Sequence, residues 1–174
     1  MIRLNFEFPE LDQNLRMLFV WQGQFQRVVE RAVERNAMRL SSQIKNGIRS
    51  QAPGGQRFKP LAPSTADAKG SSKALMDNLD LLKSIKVTKV RRFRSNAFFV
   101  GVYRRARGKA GQKLANVAEI HETGSKKVKD RPPQRAFLKP SYDEWARYAN
   151  MQFAIDVATA FNLQGSVEEV GGSG

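Results

Sequence analysis

The stretch Val117-Ala118-Glu119-Ile120-His121-Glu122-Thr123-Gly124 and the segment Arg131-Pro132-Pro133-Gln134-Arg135-Ala136-Phe137-Leu138-Lys139-Pro140 decide how the chain is arranged. Together they hold the only histidine and the densest turn-forming chemistry of the sequence. Residues 114–122 fit either a strand or a helical turn, although their alanines favour a helix. Residues 135–138 are expected to form a short strand, because residues beside prolines are biased toward extended backbone. The last long helix starts directly after this region.

Two long helices are predicted to flank the middle of the chain. Apolar residues recur at three- and four-residue steps from Leu11 to Ser50, which predicts a long amphipathic helix. Gly23 marks a candidate break that would separate a short first helix. The C-terminal helix is expected to begin at Ser141, which forms a capping box with Glu144. Its apolar surface is wider than packing on one sheet face requires, so part of it is expected to meet another subunit.

The middle of the chain predicts a small antiparallel sheet and long loops, and hence an α+β fold. A short helix at 74–84 precedes two strands, 85–90 and 97–103, whose spacing fits a hairpin. Prolines and glycines exclude regular structure from 52–73, and the basic segment 104–113 is expected to be extended or disordered. The expected organisation is a strand or arm at 1–10, a single α+β domain at 11–163 and a flexible tail at 164–174.

The positive charge of the chain is concentrated in one segment. The formal net charge is +14 at pH 7. Residues 83–139 contain 17 lysines and arginines against three acids, whereas the remaining residues contain 13 of each. The whole excess therefore lies in 83–139, which would attract phosphates or an acidic protein surface. A separate row of arginines at four-residue spacing is interpreted as a solvated helix face balanced by neighbouring glutamates: Arg27, Arg31, Arg35 and Arg39.

Residue types that catalyse reactions or bind metals are scarce and scattered. One histidine and no cysteine exclude disulfides and thiolate metal sites. His121 and Glu122 are adjacent, so on a strand they would point to opposite faces, whereas a hydrolytic site needs converging groups. Asp77 and Asp80, three residues apart, are the two acids that come closest to forming a carboxylate pair. They are interpreted as helix-surface residues. We therefore expect no catalytic residue, no metal site and no cofactor, and interpret His121 as a packed or hydrogen-bonded structural histidine.

Six short motifs in a fixed order resemble a known family. They are Phe58-Lys59-Pro60-Leu61 with Ser64, Thr65 and Lys69; Ala74-Leu75-Met76-Asp77; Leu81-Leu82-Lys83-Ser84-Ile85; Val100-Gly101-Val102; Ala118-Glu119-Ile120-His121-Glu122-Thr123-Gly124; and Pro133-Gln134-Arg135-Ala136-Phe137-Leu138. Across residues 47–145 this order is similar to the virion-morphogenesis or tail-completion proteins, which join head and tail in tailed bacteriophages. The chain departs from the family pattern at Leu79, where glycine is usual, at Val117, where tyrosine is frequent, and at Ala136, where proline is frequent.

The resemblance implies a structural virion protein and no enzyme. The subunit would form a homo-oligomeric ring, a hexamer by resemblance, beside head-completion, tail-terminator or tail-tube subunits of the neck. It would fold in the host cytoplasm and become part of the virion without entering a membrane. The sequence agrees with this expectation, because no apolar run approaches the ~18 residues of a membrane span. The candidate interface residues are Phe58, Leu61, Phe137, Leu138 and Trp145. The candidate basic contacts to an acidic partner or to packaged DNA are Arg91, Arg92, Arg94, Arg104, Arg105, Arg107, Lys109, Lys113, Lys126, Lys127 and Lys129.

The alternative is a cytosolic nucleic-acid-binding protein that uses the basic segment 83–139. Aromatic residues lie among the arginines of this segment and could stack bases on a sheet. The same aromatic residues are needed for the sheet core, and the sequence contains no signature of a common nucleic-acid-binding domain. The ring-forming virion protein is therefore the main hypothesis, and the nucleic-acid-binding protein is its rival.

Overall fold

The computed structural model describes the backbone of residues 9–77, 79–90, 97–124 and 133–170, and the side chains of residues 22–77, 79–90, 97–124 and 133–160. Within these ranges the predicted α+β class is confirmed, with a long N-terminal helix, a C-terminal helix and a two-stranded antiparallel sheet. Residues 1–8 of the expected N-terminal arm lie outside the described part. The elements are α1 Pro9–Ser50, a 3-10 turn Pro53–Gly55, α2 Pro63–Lys69, α3 Asp80–Ser84, β1 Ile85–Lys89, β2 Phe98–Val102, α4 Leu114–Thr123 and α5 Leu138–Val170.

α1 is one continuous helix of 42 residues. The predicted break at Gly23 is wrong, because the helix runs through this residue. A glycine in a helix costs about 1 kcal/mol relative to alanine, which a long cooperative helix absorbs. Pro9 can stand at the first position because no helical hydrogen bond needs its missing N–H. At about 1.5 Å per residue, α1 is about 63 Å long.

The hydrophobic core lies where the C-terminal half of α1 meets α3, β1 and α4. Ile44 and Ile48 of α1 are buried against Leu82 and Ile85, and Phe137 is completely buried in the same cluster. β1 and β2 pair antiparallel with Val87 opposite Val100, which confirms the predicted pairing. The expected turn between the strands, 91–96, lies outside the described residues. Burial of a phenylalanine of this kind contributes about 2–3 kcal/mol.

α1 and α5 pack side by side in antiparallel directions. Gly47 near the end of α1 faces Ser141 at the start of α5, while Arg39, further back in α1, binds Asp156 further along α5. The Arg39 guanidinium donates two hydrogen bonds to the Asp156 carboxylate, at 2.5 Å and 2.9 Å. The row of arginines predicted to be a solvated face is therefore partly used for helix packing.

Part of the proline-rich loop is helical, so the expectation that 52–73 lacks regular structure is wrong. Pro63 occupies the start of α2 and Gly70 ends it in a left-handed conformation with φ 61°. Proline at the start and glycine at the end are the residues that these positions favour. The loop is also fastened to α1, because the Gln51 amide donates to the Ala74 carbonyl at 3.0 Å and accepts from the Ala74 N–H at 2.6 Å.

The helix predicted at 74–84 is shorter than expected and comprises only Asp80–Ser84. Leu75 and Leu79 have φ values of 61° and 57°, in the left-handed region. A residue in this region interrupts a right-handed helix, and for a side chain with a Cβ it costs about 1–2 kcal/mol. The helix-like spacing of Leu75, Leu79 and Leu82 therefore does not come from one helix. It comes from a non-helical turn followed by the short helix α3.

The segments on either side of α4 also differ from their predictions. The expected extended or disordered loop at 104–113 is a closed turn, in which Arg107 and Lys113 form a β-bridge. The open alternative for 114–122 resolves as a helix, Leu114–Thr123. The strand predicted at 135–138 is absent, since residues 133–137 are irregular and α5 begins at Leu138. α5 continues to Val170, past the start of the expected flexible tail.

The close approach of the 3-10 turn to α5 gives a first prediction. Gly54 has φ 59°, and a Cβ built on it would lie 2.4 Å from the Pro140 carbonyl oxygen. The neighbouring Gly55 has φ 77° but nothing within 4 Å of such a Cβ. We expect Gly54→Ala to lower the free energy of unfolding by about 3 kcal/mol, and Gly55→Ala by about 1 kcal/mol. Urea unfolding of both variants measures the difference, and equal losses would contradict the packing described here.

The Arg39–Asp156 pair gives a second prediction. The hydrogen bond from Arg39 lowers the pKa of Asp156 below its ordinary value of 3.8. Stability from such a carboxylate is present above the unfolded-state pKa and is lost as the pH falls through the lower folded-state pKa. We expect Asp156→Asn to be less stable than the parent by about 1–3 kcal/mol at neutral pH. In chemical denaturation at a series of pH values, the difference should narrow below about pH 4; a difference independent of pH would contradict the charge pairing.

Candidate functional site

Glu122 forms the N-terminal cap of α5, although it lies in α4. Its carboxylate accepts hydrogen bonds from the backbone N–H groups of Phe137 and Leu138, each at 2.9 Å, and of Lys139 at 2.8 Å. An anion at this position satisfies donors that have no partner within the helix and complements the helix dipole. The predicted capping box at Ser141 is therefore wrong, because α5 begins three residues earlier and the buried Ser141 hydroxyl has no hydrogen-bond partner among the described residues.

The residues before α5 are held against the end of α4 by two further hydrogen bonds. The Arg135 N–H donates to the His121 carbonyl at 2.9 Å. The Gln134 side-chain amide donates to the Glu122 carbonyl at 2.6 Å. The carbonyls of His121 and Glu122, together with the Glu122 carboxylate, therefore hold residues 134–139 against the end of α4. This arrangement places Phe137 in the core and Arg135 beside His121.

A cleft of about 940 Å³ opens between α4, the turn before α3 and the loop before α2. Its volume lies in the upper part of the range of ligand sites, about 300–1,000 Å³. Three helices, α2, α3 and α4, and the segments that precede α2, α3, α4 and α5 contribute to its walls. Most of the lining is apolar and includes Leu61, Leu75, Leu79, Leu81, Leu114 and Val117.

Arg135 is a buried cation in the wall of this cleft. Only 5% of the residue is exposed. Its guanidinium donates from Nε to the Lys59 carbonyl and from Nη2 to the Pro60 carbonyl, each at 2.9 Å. Within the described ranges, no carboxylate lies within ion-pair distance of it. Burial lowers the pKa of Arg135 from its ordinary value, yet a guanidinium stays protonated in proteins at neutral pH.

His121 lines the same cleft and is half-buried. Its Nδ1 atom is buried and has no hydrogen-bond partner in the described part of the chain. Burial lowers the pKa of His121 below 6.5, and the positive charges of Arg135 and Lys69 lower it further. The imidazole is therefore neutral at pH 7. The interpretation of His121 as packed or hydrogen-bonded applies to its backbone, because its carbonyl accepts the Arg135 N–H; the ring itself lines the cleft.

The apolar residues predicted as an interface fall in different environments. Phe137 is fully buried in the core and offers no surface. Phe58 and Leu138 are partly buried against the same core. Leu61 lines the cleft, and Trp145 is half-buried, with its ring 5.6 Å from that of Tyr142. The structure therefore does not bring these five residues together as one surface.

The predicted basic residues that can be located lie on one loop. Arg104, Arg105, Arg107, Lys109 and Lys113 are all exposed on the closed turn after β2. A neighbouring hollow of about 580 Å³ is lined partly by further cations, Lys83 and Lys86, together with Arg107. The remaining candidates lie outside the described residues: Arg91, Arg92, Arg94, Lys126, Lys127 and Lys129.

The outer face of α5 is a second surface that the candidate list missed. Tyr148, Met151 and Ile155 are 51%, 56% and 49% exposed, and Ala154 and Ala158 beside them are also exposed. The opposite side of the helix carries Asp156, which faces α1. The width of the apolar pattern indicated such a face, but the particular residues could be chosen only once the helix orientation was known.

Two kinds of site are absent from the part of the chain that is described. There, no three histidine, aspartate or glutamate side chains converge as metal ligands would. Of the helices in the described ranges, none combines the length and apolarity required to cross a bilayer.

The residues that sequence reasoning missed in the cleft are Lys69, Leu75, Leu79 and Arg135. The burial of Arg135 has no local sequence signal, because its two acceptors are 75 and 76 residues away.

The role of Glu122 gives a third prediction. Glu122→Ala removes an anion that accepts three backbone hydrogen bonds, so we expect a loss of about 2–3 kcal/mol in the free energy of unfolding. Glu119→Ala in the same helix alters an exposed side chain and should cost less than about 0.5 kcal/mol. Hydrogen exchange should accelerate at the amides of 137–139 in the first variant alone. Similar stability and exchange in both variants would contradict the cap.

Comparison with protein-family models, with curated proteins and with solved structures gave no match. Three features of the described residues can bind a partner: the apolar cleft with its buried cation, the exposed basic turn and the apolar outer face of α5. These three features lie on different elements of the fold.

Proposed function

We propose that this chain is a structural protein of a tailed bacteriophage, which completes the tail and joins it to the head by assembling as an oligomeric ring. The observation that carries the proposal is the apolar outer face of α5. Three large side chains on it, Tyr148, Met151 and Ile155, are about half exposed. Contiguous exposed apolar residues of this size on a folded protein mark an interaction surface.

The geometry of the two long helices supports assembly through this face. α1 already covers the side of α5 that carries Asp156, so the exposed side chains lie on another side of the helix. Burial of such residues against a neighbour contributes about 25 cal/mol per Å² of apolar surface. A helix that is apolar on two sides can pack within the subunit and between subunits at once. A helix with two such faces, like α5, suits the repeated contacts between the subunits of a ring.

The order of the family-like motifs agrees with their places in the fold. The Leu81-Leu82-Lys83-Ser84-Ile85 motif supplies three buried apolar residues to the core. Leu79, which stands where the family usually has glycine, has the left-handed φ of 57° that glycine favours. The motif with Glu122 and the motif with Phe137 are joined by the cap of α5. These positions are thus required by the backbone and the core, which supports the resemblance.

The proposed partners follow from the resemblance and from charge. Copies of this chain would form the ring, a hexamer by resemblance, between other neck and tail proteins in the virion. The exposed cations of the 104–113 turn would contact acidic surfaces of those proteins or the packaged DNA. The protein would act by binding its neighbours, without catalysis.

The second candidate function is nucleic-acid binding, and the basic turn is the observation that favours it. Arg104, Arg105, Arg107, Lys109 and Lys113 are exposed together, beside a hollow that Lys83 and Lys86 also line. A gel shift across a salt series separates the two functions. Tight, sequence-selective binding that survives about 0.2 M salt would favour this candidate, because purely electrostatic phosphate contacts weaken steeply there.

The outer face of α5 gives a fourth prediction. The purified protein should form an oligomer, and Met151→Glu should reduce its mass in light scattering to that of a single chain, because a charge buried in an apolar contact is strongly disfavoured. The matched control is Ala146→Glu, which adds the same charge at an exposed position on a different side of α5; it should leave the oligomer intact. A monomeric parent protein, or equal masses for the two variants, would contradict assembly through this face.

The role in the particle is tested separately. Phage particles produced without this protein should accumulate as separate heads and tails in negative-stain images. Supply of the parent protein should restore joining, whereas supply of Met151→Glu should not. Normally joined particles in its absence would overturn the proposed function.

A further inference from the structure

We propose that the cleft beside α4 binds a short acidic segment of another polypeptide, in which a glutamate or aspartate lies next to leucine-like residues. The carboxylate of the segment would bind at the end formed by Arg135, Lys69 and His121. Its apolar side chains would pack on the wall that includes Leu61 and Leu75. This binding site does not depend on the proposed role in phage assembly.

The charge of Arg135 is the first reason for this assignment. The residue is 5% exposed and lines the cleft, but among the described residues the only partners of its guanidinium are the carbonyls of Lys59 and Pro60. Carbonyl dipoles compensate a buried charge less well than a carboxylate does. A guanidinium has five N–H donors, of which these two bonds use two. The remaining donors suit the two oxygens of an incoming carboxylate.

The surroundings of His121 are the second reason. The residue lines the cleft, and a protonated imidazole donates an N–H to a carboxylate oxygen. The two charges that act on its pKa, Arg135 and Lys69, are both positive. The histidine therefore reports a positive local potential at this end of the cleft. An anion bound there would be favoured, and it would raise the pKa of His121.

Two acidic residues also line the cleft, and they determine the direction in which the segment lies. Asp80 already accepts a hydrogen bond from the Lys109 N–H at 2.8 Å, and Asp77 is exposed. Neither aspartate is among the charges that shift the pKa of His121, and their negative charges would repel a carboxylate from their own surroundings. The carboxylate of the segment is therefore directed to the His121 end, and its apolar residues follow along the leucine wall.

The size and polarity of the cleft identify a peptide segment as the occupant. A volume of about 940 Å³ exceeds what a single small anion fills, and the walls are mainly leucine, alanine, proline and valine. A nucleic-acid backbone carries a charge at every unit and would leave these walls unoccupied. The exposed cations that suit phosphates lie instead on the 104–113 turn. A short segment of mixed apolar and acidic character matches the lining.

The test uses His121 as a reporter, because it is the only histidine of the chain. The probe is the peptide acetyl-Leu-Glu-Leu-amide, titrated into the full-length protein while the imidazole resonances are followed by NMR. We expect saturable shifts and a raised pKa for His121. The control peptide acetyl-Leu-Gln-Leu-amide has the same shape without the charge and should bind at least about tenfold more weakly. Equal binding of the two peptides, or no shift with either, would overturn the proposal.

A pair of lysine variants locates the binding site. Lys69→Met removes a charge that acts on His121, and we expect it to weaken binding of the glutamate peptide about three- to tenfold. Lys73→Met changes an exposed lysine outside the cleft lining and should leave the affinity unchanged. Equal affinities for the two variants would overturn the site. Binding of 4-methylpentanoate as tightly as the peptide would overturn the assignment to a polypeptide segment.

Discussion

The carboxylate of Glu122 at the start of α5 is the interaction on which the rest of the structure depends. It accepts three of the backbone N–H groups that a helix start leaves without partners. The donors are 15 to 17 residues away in sequence, so one side chain joins α4 to the start of α5. This junction delivers Phe137 to the core and sets the direction of α5. The antiparallel packing of α5 on α1, including the Arg39–Asp156 pair, follows from that direction.

The same junction builds the cleft. The hydrogen bond from the Arg135 N–H to the His121 carbonyl holds the two residues side by side. The guanidinium of Arg135 then reaches the Lys59 and Pro60 carbonyls and holds the loop before α2 as the opposite wall. A single buried arginine therefore connects three parts of the chain. Because its charge is compensated only by carbonyl dipoles within the described residues, this anchor is also the position at which we propose that a carboxylate binds.

Sequence periodicity predicted α1, the strand pair and the existence of α5, because these elements follow from local spacing of apolar residues. It failed at the start of α5, since Ser141 and Glu144 satisfy a local capping rule while the actual cap, Glu122, is remote. It also missed α2, where the proline and glycine content of the loop concealed favourable end residues. In the cleft, Leu61 was selected from sequence, but Arg135 and Lys69 were not. Their roles depend on which distant segments meet, and no local pattern contains that information.

The backbone conformation of two leucines in the cleft wall costs conformational energy, and this cost bears on the function of the cleft. Leu75 and Leu79 both have left-handed φ values, and each such residue with a Cβ costs about 1–2 kcal/mol. Both side chains line the cleft. Glycine would remove the backbone cost and with it the apolar wall. Strained residues of this kind cluster at binding sites, where the surrounding structure holds them. The strained backbone at these two leucines lowers the stability of the isolated subunit, but it keeps their side chains in the cleft wall. An apolar partner would bury these side chains, so the strain is better explained by binding than by stability.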